Sequence, residues 1–424
     1  MVFFSSCEDE FIDLTPLASI TEDVYYKEPA HFETGANKFY TQLPAWTDAA
    51  DYMDHGTDLT SYIEGDQQDY GRGIITPPVT DDYWDDAWSN IRSNNLLIER
   101  AADYSGEQSE IAEYVAVAKF FRAWNYYTLV QRFGGVPLIT KSLDVDSEEL
   151  SSPRNSRYEV VSLILQDLDD AMADLPLEQN IGSSDKGKIS KWAAMSFKAQ
   201  VLLYEATWMK YVGTTTDGDG VSSGAGSEGY NDANIQLYLQ EAIELTKTVI
   251  DEGGYELWNY NTLLDNKSSF YLFNLEDGGS NPAGLDKSTN NEFILYSKYD
   301  FVLRQGGALL SHAARGRLQP SRKMMDMFLC SDGKTVFNSP LFEGYVNVSD
   351  EYQNRDYRLV SYFADYLTYE APVDGSVELK AVTSTGYVNQ KFSTYNYGEY
   401  REAKQESPDF AHIRLADVYL MYAE

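Results

Sequence analysis

Apolar side chains recur at helical spacing over much of the chain, most clearly between residues 81 and 102. Members of this stripe are three or four residues apart, which is the period of one face of an α-helix. They are Trp84, Trp88, Ile91, Asn95, Ile98 and Ala102. Asp81, Asp82, Asp85 and Asp86 stand at its start, where carboxylates suit the positive end of the helix dipole. The pattern therefore predicts a helix here.

The same period predicts further helices through residues 114–128, 161–175, 194–208, 239–249 and 413–423. Ser156 and Glu159 have the spacing of a capping box before the second of these. The first ends at the stretch 133–137, where two glycines and a proline follow Phe133. The last pattern is still in progress at Glu424, so we expect the C-terminus to be incomplete.

Two polar residues lie on otherwise apolar helix faces. We expect Arg122 to pair with a buried carboxylate or to cap carbonyl groups, because an arginine there needs a partner. We expect Asn95 to satisfy backbone groups of a neighbouring loop. Both are interpreted as structural residues.

The fold class follows from the helices and from what separates them. Small residues at core-facing positions, such as Ala118 and Ala194, allow close helix approach, and the helix pairs look like tetratricopeptide-type repeats without a clean 34-residue period. Long stretches without helical period lie at 44–80, 255–320 and 331–411, the last with short possible strands. We predict a mainly α fold in which tetratricopeptide-like helix pairs pack against an irregular, loop-rich half.

Charge and length exclude several classes of function. The 424 residues include 33 Lys+Arg and 67 Asp+Glu, a formal net charge of -34. Nucleic-acid binding depends on Lys and Arg at phosphates, so we expect no nucleic-acid partner. Docking on anionic lipid through a basic patch is disfavoured for the same reason.

No catalytic or metal motif fits its context. The four histidines, His31, His55, His312 and His412, do not have metal-ligand spacing. Glycine patterns at 182–188, 220–224 and 224–229 match nucleotide or hydrolase motifs in letters only, because no strand leads into them. We expect no catalytic residue, no resident metal and no cofactor; a calcium ion held by carboxylates and carbonyls is left open.

Two aromatic-rich segments suggest a binding surface. Sugars present apolar C–H faces beside hydroxyl rims, so their sites combine aromatic rings with polar donors. We predict an exposed site built from residues 46–84 and 270–304. Its candidate platforms and polar contacts are Trp46, Tyr70, Arg72, Trp84, Tyr271, Tyr299 and Arg304. The alternative for each ring is packing between loops and helices.

The first residues resemble the end of a bacterial lipoprotein signal. Phe4-Ser5-Ser6 precedes Cys7, and an acidic run follows it. We predict that residues 1–7 are the remnant of such a signal and that Cys7 is acylated. No basic region and no full apolar region precede the cysteine, so we expect the signal to be truncated. The alternative is a chance cysteine near the terminus.

Five stretches in order resemble the SusD/RagB family of outer-membrane nutrient-binding lipoproteins. The most recognisable is the helix Phe121–Val130 followed by Phe133–Leu138. The others are Cys7–Pro16 with Ile20–Glu22, Lys188–Tyr204, Asn354–Leu359 and Ile413–Glu424. Together they run the length of the chain.

This resemblance implies one SusD-like domain over residues 8–424 and a lipid anchor at Cys7 on the surface of a Gram-negative outer membrane. It implies capture of a glycan or oligosaccharide and a SusC-like TonB-dependent transporter as partner. Family ligand residues follow no fixed motif, so none is carried over. Two other hypotheses are a helical carbohydrate-active enzyme, either a lyase or a hydrolase, and a helical-repeat adaptor that binds protein only.

Overall fold

The computed structural model describes residues 25–46, 57–62, 76, 78–212, 227–306, 318–347, 349–364, 385–392, 394, 400–402 and 405–424. Cys7, Tyr70 and Arg72 lie outside the described residues. Helices dominate and strands are short, so the predicted mainly α class is confirmed. The tetratricopeptide-like pairing stays a prediction. None of the described helices is both long enough and apolar enough to cross a lipid bilayer.

The described α-helices are numbered in chain order. They are α1 (Pro29–Phe39), α2 (Asp82–Ala102), α3 (Ala112–Phe133), α4 (Arg157–Asp174), α5 (Lys191–Tyr211), α6 (Ala233–Glu252), α7 (Ser268–Leu272), α8 (Arg322–Met327), α9 (Tyr357–Tyr362) and α10 (Leu415–Ala423). Short 3₁₀ turns lie at Tyr40–Gln42, Gln108–Glu110, Glu148–Ser151, Glu178–Asn180, Ser183–Asp185, Lys287–Thr289 and Asp350–Tyr352.

Six described strands form three antiparallel two-stranded ribbons. Strand β1 (Thr60–Tyr62) pairs with β3 (Leu318–Pro320), with Thr60 opposite Pro320. Strand β2 (Phe293–Ser297) pairs with β6 (Phe410–Arg414), and its register shifts near Leu295. Strand β4 (Phe363–Ala364) pairs with β5 (Val388–Asn389).

The described residues divide into two compact units that alternate along the chain. The first draws on Met1–Gln42, Asp82–Pro176 and Trp208–Asn231, and the second on Leu43–Asp81, Leu177–Thr207 and Asp232–Glu424. Whether one family domain spans residues 8–424 stays a prediction.

The first unit is built around α3, which packs against α1, α2 and α4. Arg122 on α3 makes two bonds to Asp167 on α4, with Nε 2.7 Å from Oδ2 and Nη2 2.6 Å from Oδ1. Its Nη1 donates to Oδ1 of Asn95 on α2, at 2.9 Å. The Asn95 amide in turn donates to the carbonyls of Ile139 and Lys141. Both structural predictions for these polar residues are confirmed.

The ends of these helices follow the sequence signals. The capping box at Ser156 is present, with its hydroxyl accepting from the Glu159 amide at 3.1 Å. Helix α3 ends at Phe133 and is capped by Gly134, whose φ is 70°. A side chain at Gly135 would place Cβ 2.1 Å from the carbonyl oxygen of Asn155, so this second glycine is required by close approach of the backbone.

The second unit has an aromatic core. One buried cluster contains Trp46, Trp258, Tyr271, Phe273, Phe293, Tyr299 and Phe392, with leucines between them. Helices α6 and α10 pack against each other beside the β2–β6 ribbon. The predicted start of the last helix is wrong: Ile413 lies in β6, opposite Leu295, and the helix begins at Leu415.

Candidate ligand-binding groove

A groove of about 580 Å³ lies within the second unit, and all three ribbons contribute to it. Along β6, Phe410, Ala411, His412 and Arg414 line the groove. The other two ribbons, the helices α8 and α9 and the residues beside them supply Thr60, Pro320, Met324, Phe328, Arg358, Tyr362, Phe363, Asn389, Lys391 and Phe392. Short strands thus place side chains that are far apart in sequence around one concavity.

Aromatic rings form much of the groove. Trp46, Phe273, Phe363 and Phe392 are buried, whereas Tyr362 and Phe410 are only half-buried. The ring centroid of Phe410 is 4.5 Å from that of Trp46. The half-buried rings therefore offer faces to a ligand, and the buried rings hold them in position.

Three cations line the groove among the described residues. The Lys391 ammonium lies 4.2 Å from the ring centroid of Phe273, and the Arg414 guanidinium lies 5.4 Å from the same centroid. Arg358 binds Asp356 through Nε and Nη2, and this hydrogen-bonded carboxylate raises the pKa of the Arg358 guanidinium.

Two carboxylates line the groove as well. Asp409 accepts from Lys287 Nζ at 2.7 Å and from the Tyr299 amide at 2.8 Å, and burial raises its pKa. Asp417 accepts from the backbone N–H of Arg414 at 2.9 Å. Both carboxylates therefore hold backbone in place at the edge of the groove.

His412 is a neutral polar group in this wall. Its Nε2 lies 2.9 Å from the hydroxyl of Ser297 across the β2–β6 ribbon. Burial, with a smaller effect of Arg304, lowers its pKa to about 3. Thr60 differs from it, because the Thr60 hydroxyl has no hydrogen-bond partner in the described part of the chain. The oxygen of this hydroxyl is buried.

The predicted site residues do not come together at one site in the structure. Trp46 lines the groove but is 2% exposed, and Tyr271 and Tyr299 are 6% and 4% exposed. The prediction of exposed platforms is therefore wrong for these three rings, which fill the core cluster. Trp46 Nε1 donates to the Pro408 carbonyl, and the Tyr299 hydroxyl accepts from the Trp46 amide.

The remaining candidates lie elsewhere. Arg304 is exposed and lies over the ring of Tyr299, at 4.3 Å from its centroid. Trp84 belongs to the first unit, where it is half-buried and lines a separate cavity of about 420 Å³. Trp88 and Ile139 are among the other residues of that mainly apolar cavity. Ligand contact by any of the candidates stays a prediction.

Sequence reasoning missed most of the groove. Phe410, His412 and Arg414 are alternate residues of β6, but the strand was not recognised, and the predicted helix started inside it at Ile413. Lys391 and Phe392 follow a two-residue strand, which is too short to give a pattern. The alternation along β6 was the one usable signal.

Two family models match the chain. One, described as "Starch-binding associating with outer membrane", matches residues 23–203, and the other, described as "SusD family", matches residues 285–424. The chain belongs to the SusD/RagB family. The family resemblance seen in the sequence is thereby confirmed.

Individual SusD-like proteins agree with this assignment. SusD-like protein P38 of Formosa agariphila is 28% identical over 207 residues, which are 47% of this chain and 39% of that protein. The alignment thus spans about two fifths of the curated relative.

Solved structures show the same fold. A SusD-like protein from Bacteroides fragilis aligns with a TM-score of 0.69 and 21% identity, covering 96% of this chain and 77% of the other. A structure described as a laminarin binding SusD-like protein aligns with a TM-score of 0.60 and 20% identity, covering 94% and 80%.

Proposed function

We propose that this SusD-family chain is a non-catalytic glycan-binding protein that takes an oligosaccharide into the groove of the second unit. The groove carries this proposal. Half-buried rings at Tyr362 and Phe410 offer stacking faces for sugar C–H groups. A neighbouring fold that is named for laminarin binding supports a glycan as the ligand class.

The proposal also includes delivery of the bound glycan to a transporter. We infer that the protein acts at the outer-membrane surface, anchored by lipid at Cys7, and passes its glycan to a SusC-like TonB-dependent transporter. Family membership supports the outer-membrane location, since one matching model is described by that association. A single acyl chain holds weakly, so stable attachment requires more than one.

The competing function is a carbohydrate-active enzyme. A raised carboxyl pKa, such as burial gives Asp409, is a feature of general acids in glycosidases. However, Asp409 holds Lys287 and the Tyr299 backbone, and Asp417 holds the Arg414 backbone. These fixed structural bonds favour binding without turnover. Incubation of the pure protein with bound glycan should release no new reducing ends, and their release would support the enzyme.

The binding proposal is tested with groove variants. Neutral and acidic polysaccharides are screened by affinity gel, and the retained glycan is measured by calorimetry with wild type, Phe410→Ala and Tyr362→Ala. Loss of a true platform should weaken binding by about tenfold or more, by analogy with aromatic anchors at interfaces. Phe337→Ala is the matched control, because Phe337 is 80% exposed and does not line the groove.

Two outcomes would contradict it. If no glycan in the panel is retained, the proposed function is wrong. If both groove variants stay folded, as judged by thermal unfolding, and bind like the wild type, the ligand lies elsewhere. Lipid attachment is tested separately by fatty-acid labelling of a chain with a full signal; label retained in Cys7→Ser would refute acylation at that residue.

A further inference from the structure

A lysine that does not line the groove binds the backbone that leads into one of its rings. Lys287 opens a 3₁₀ turn, and its side chain is 24% exposed. Its Nζ donates to the carbonyl oxygen of Tyr299 at 2.7 Å, to that of Ser407 at 2.6 Å and to Oδ1 of Asp409 at 2.7 Å. An ammonium group has three N–H donors, so these bonds use all of them.

The bound backbone is the segment directly before β6. Residues 407–409 are irregular chain, and Phe410 is the first residue of the strand. Lys287 binds the first and the third residue of this segment, and Trp46 Nε1 donates to the carbonyl of the second, Pro408, at 2.8 Å. Side chains therefore hold each of the three residues that precede the Phe410 ring.

Trp46 links the lysine to that ring a second time. The ring centroids of Trp46 and Phe410 are 4.5 Å apart. The Trp46 amide donates to the hydroxyl of Tyr299 at 2.8 Å, and Lys287 binds the carbonyl of the same tyrosine. Lys287 thus contacts both the chain that carries Phe410 and the residue that holds its neighbouring ring.

The other bonds of the segment do not replace the lysine. The Ser407 hydroxyl donates to Glu276 at 2.7 Å, and Asp409 accepts from the Tyr299 amide. However, the Asp409 side chain is 12% exposed, and Lys287 is the cation that pairs with it. Charge-assisted hydrogen bonds in such partly desolvated places are stronger than neutral ones. We therefore expect the segment to shift when the ammonium is removed.

We propose that Lys287 is a positioning residue for glycan binding, which holds residues 407–409 so that the Phe410 ring keeps the orientation in which it stacks a sugar. This inference rests on the proposed function and adds to it a residue that does not touch the glycan. A ring that is held in place before binding loses less entropy when the sugar binds. Because Lys287 acts through Phe410, its removal should weaken binding no more than Phe410→Ala does.

The test compares matched lysines in the whole chain. Affinity gels containing starch, laminarin, xyloglucan or polygalacturonate are run first, and the polysaccharide that retains the wild type best is the probe for calorimetry. Lys287→Met keeps an unbranched stem and removes the donors, and Lys287→Arg keeps the charge. Lys186→Met is the control, because Lys186 Nζ binds the carbonyl and the carboxylate of Glu178 at 2.7 and 2.8 Å in the same unit, away from the groove.

We expect Lys287→Met to bind the probe more weakly, up to the loss of about tenfold or more that Phe410→Ala causes. Lys287→Arg should bind more tightly than Lys287→Met, and Lys186→Met should bind like the wild type. In a chain that already carries Phe410→Ala, Lys287→Met should weaken binding no further, because both changes act on one contact. A role in stability alone does not produce this coupling.

Other outcomes overturn the inference in distinguishable ways. If folded Lys287→Met binds like the wild type, or weakens binding equally with and without the Phe410 ring, the positioning role is refuted and glycan binding in the groove stands. If Lys287→Met does not fold, Lys287→Met with Asp409→Asn removes the unpaired buried carboxylate and takes its place. Loss of folding in both would assign Lys287 to stability and refute the positioning role. Failure of every gel to retain the wild type would overturn both proposals.

Discussion

Removing Arg122 should destabilise the first unit more than any surface ion pair can. Arg122 and Asp167 have side chains that are 7% and 2% exposed, and two short hydrogen bonds join them. In Arg122→Met the carboxylate would stay buried without its counter-ion. Removing one partner of a buried ion pair costs about 3–5 kcal/mol of unfolding free energy.

The cost should depend on pH in a defined direction. Burial already raises the pKa of Asp167, against the attraction of Arg122. Without Arg122 the folded-state pKa rises further above the unfolded value, so the variant is penalised most at neutral pH. As pH falls through that raised pKa, the carboxyl takes up a proton and part of the lost stability returns.

Lys119→Met is the matched control, because Lys119 and Asp170 join the same two helices with an N–O distance of 2.6 Å. That pair is partly exposed, so its loss should cost at most about 1 kcal/mol. Urea unfolding followed by circular dichroism at neutral and mildly acidic pH measures both variants. If Arg122→Met costs no more than Lys119→Met, or if its cost grows on acidification, the buried-pair reasoning is refuted.

Two further predictions concern stability. Gly135→Ala should lower the unfolding temperature in differential scanning calorimetry, because a Cβ at residue 135 would lie 2.1 Å from the Asn155 carbonyl oxygen. An unchanged unfolding temperature would contradict this. Because the pKa of His412 is low in the folded state, the unfolded state binds a proton there that the folded state does not bind. The free energy of unfolding therefore falls as pH drops from about 6.5 towards 3. Between neutral pH and pH ~5, the free energy of unfolding of His412→Gln should therefore fall by roughly 2 kcal/mol less than that of the wild type. Identical dependences of unfolding free energy on pH would contradict the burial of a neutral imidazole.

Local signals predicted the helical part of the fold well. The apolar stripe of α2, the capping box of α4 and the glycine pair after α3 each act within one element, so their residues carry the information. Even Arg122 and Asn95 were interpreted correctly, because a polar residue on an apolar helix face must find a partner. These features depend on neighbours that lie within a few residues or one helix away.

The groove was not predictable in the same way. Strands of two to five residues give little periodicity, and β6 joins directly to α10, so the predicted helix began inside the strand at Ile413. The aromatic content of a segment also does not show whether a ring is exposed to a ligand or packed in the core. Trp46 and Tyr299 are fixed by hydrogen bonds to partners hundreds of residues away in sequence, which only the folded chain brings together.

A crystal structure of the full chain with its tightest-binding oligosaccharide tests the central claim most directly. The account predicts sugar density in the groove of the second unit, stacked on Phe410 or Tyr362. Density beside Trp84 in the cavity of the first unit, or anywhere outside the groove, would contradict it.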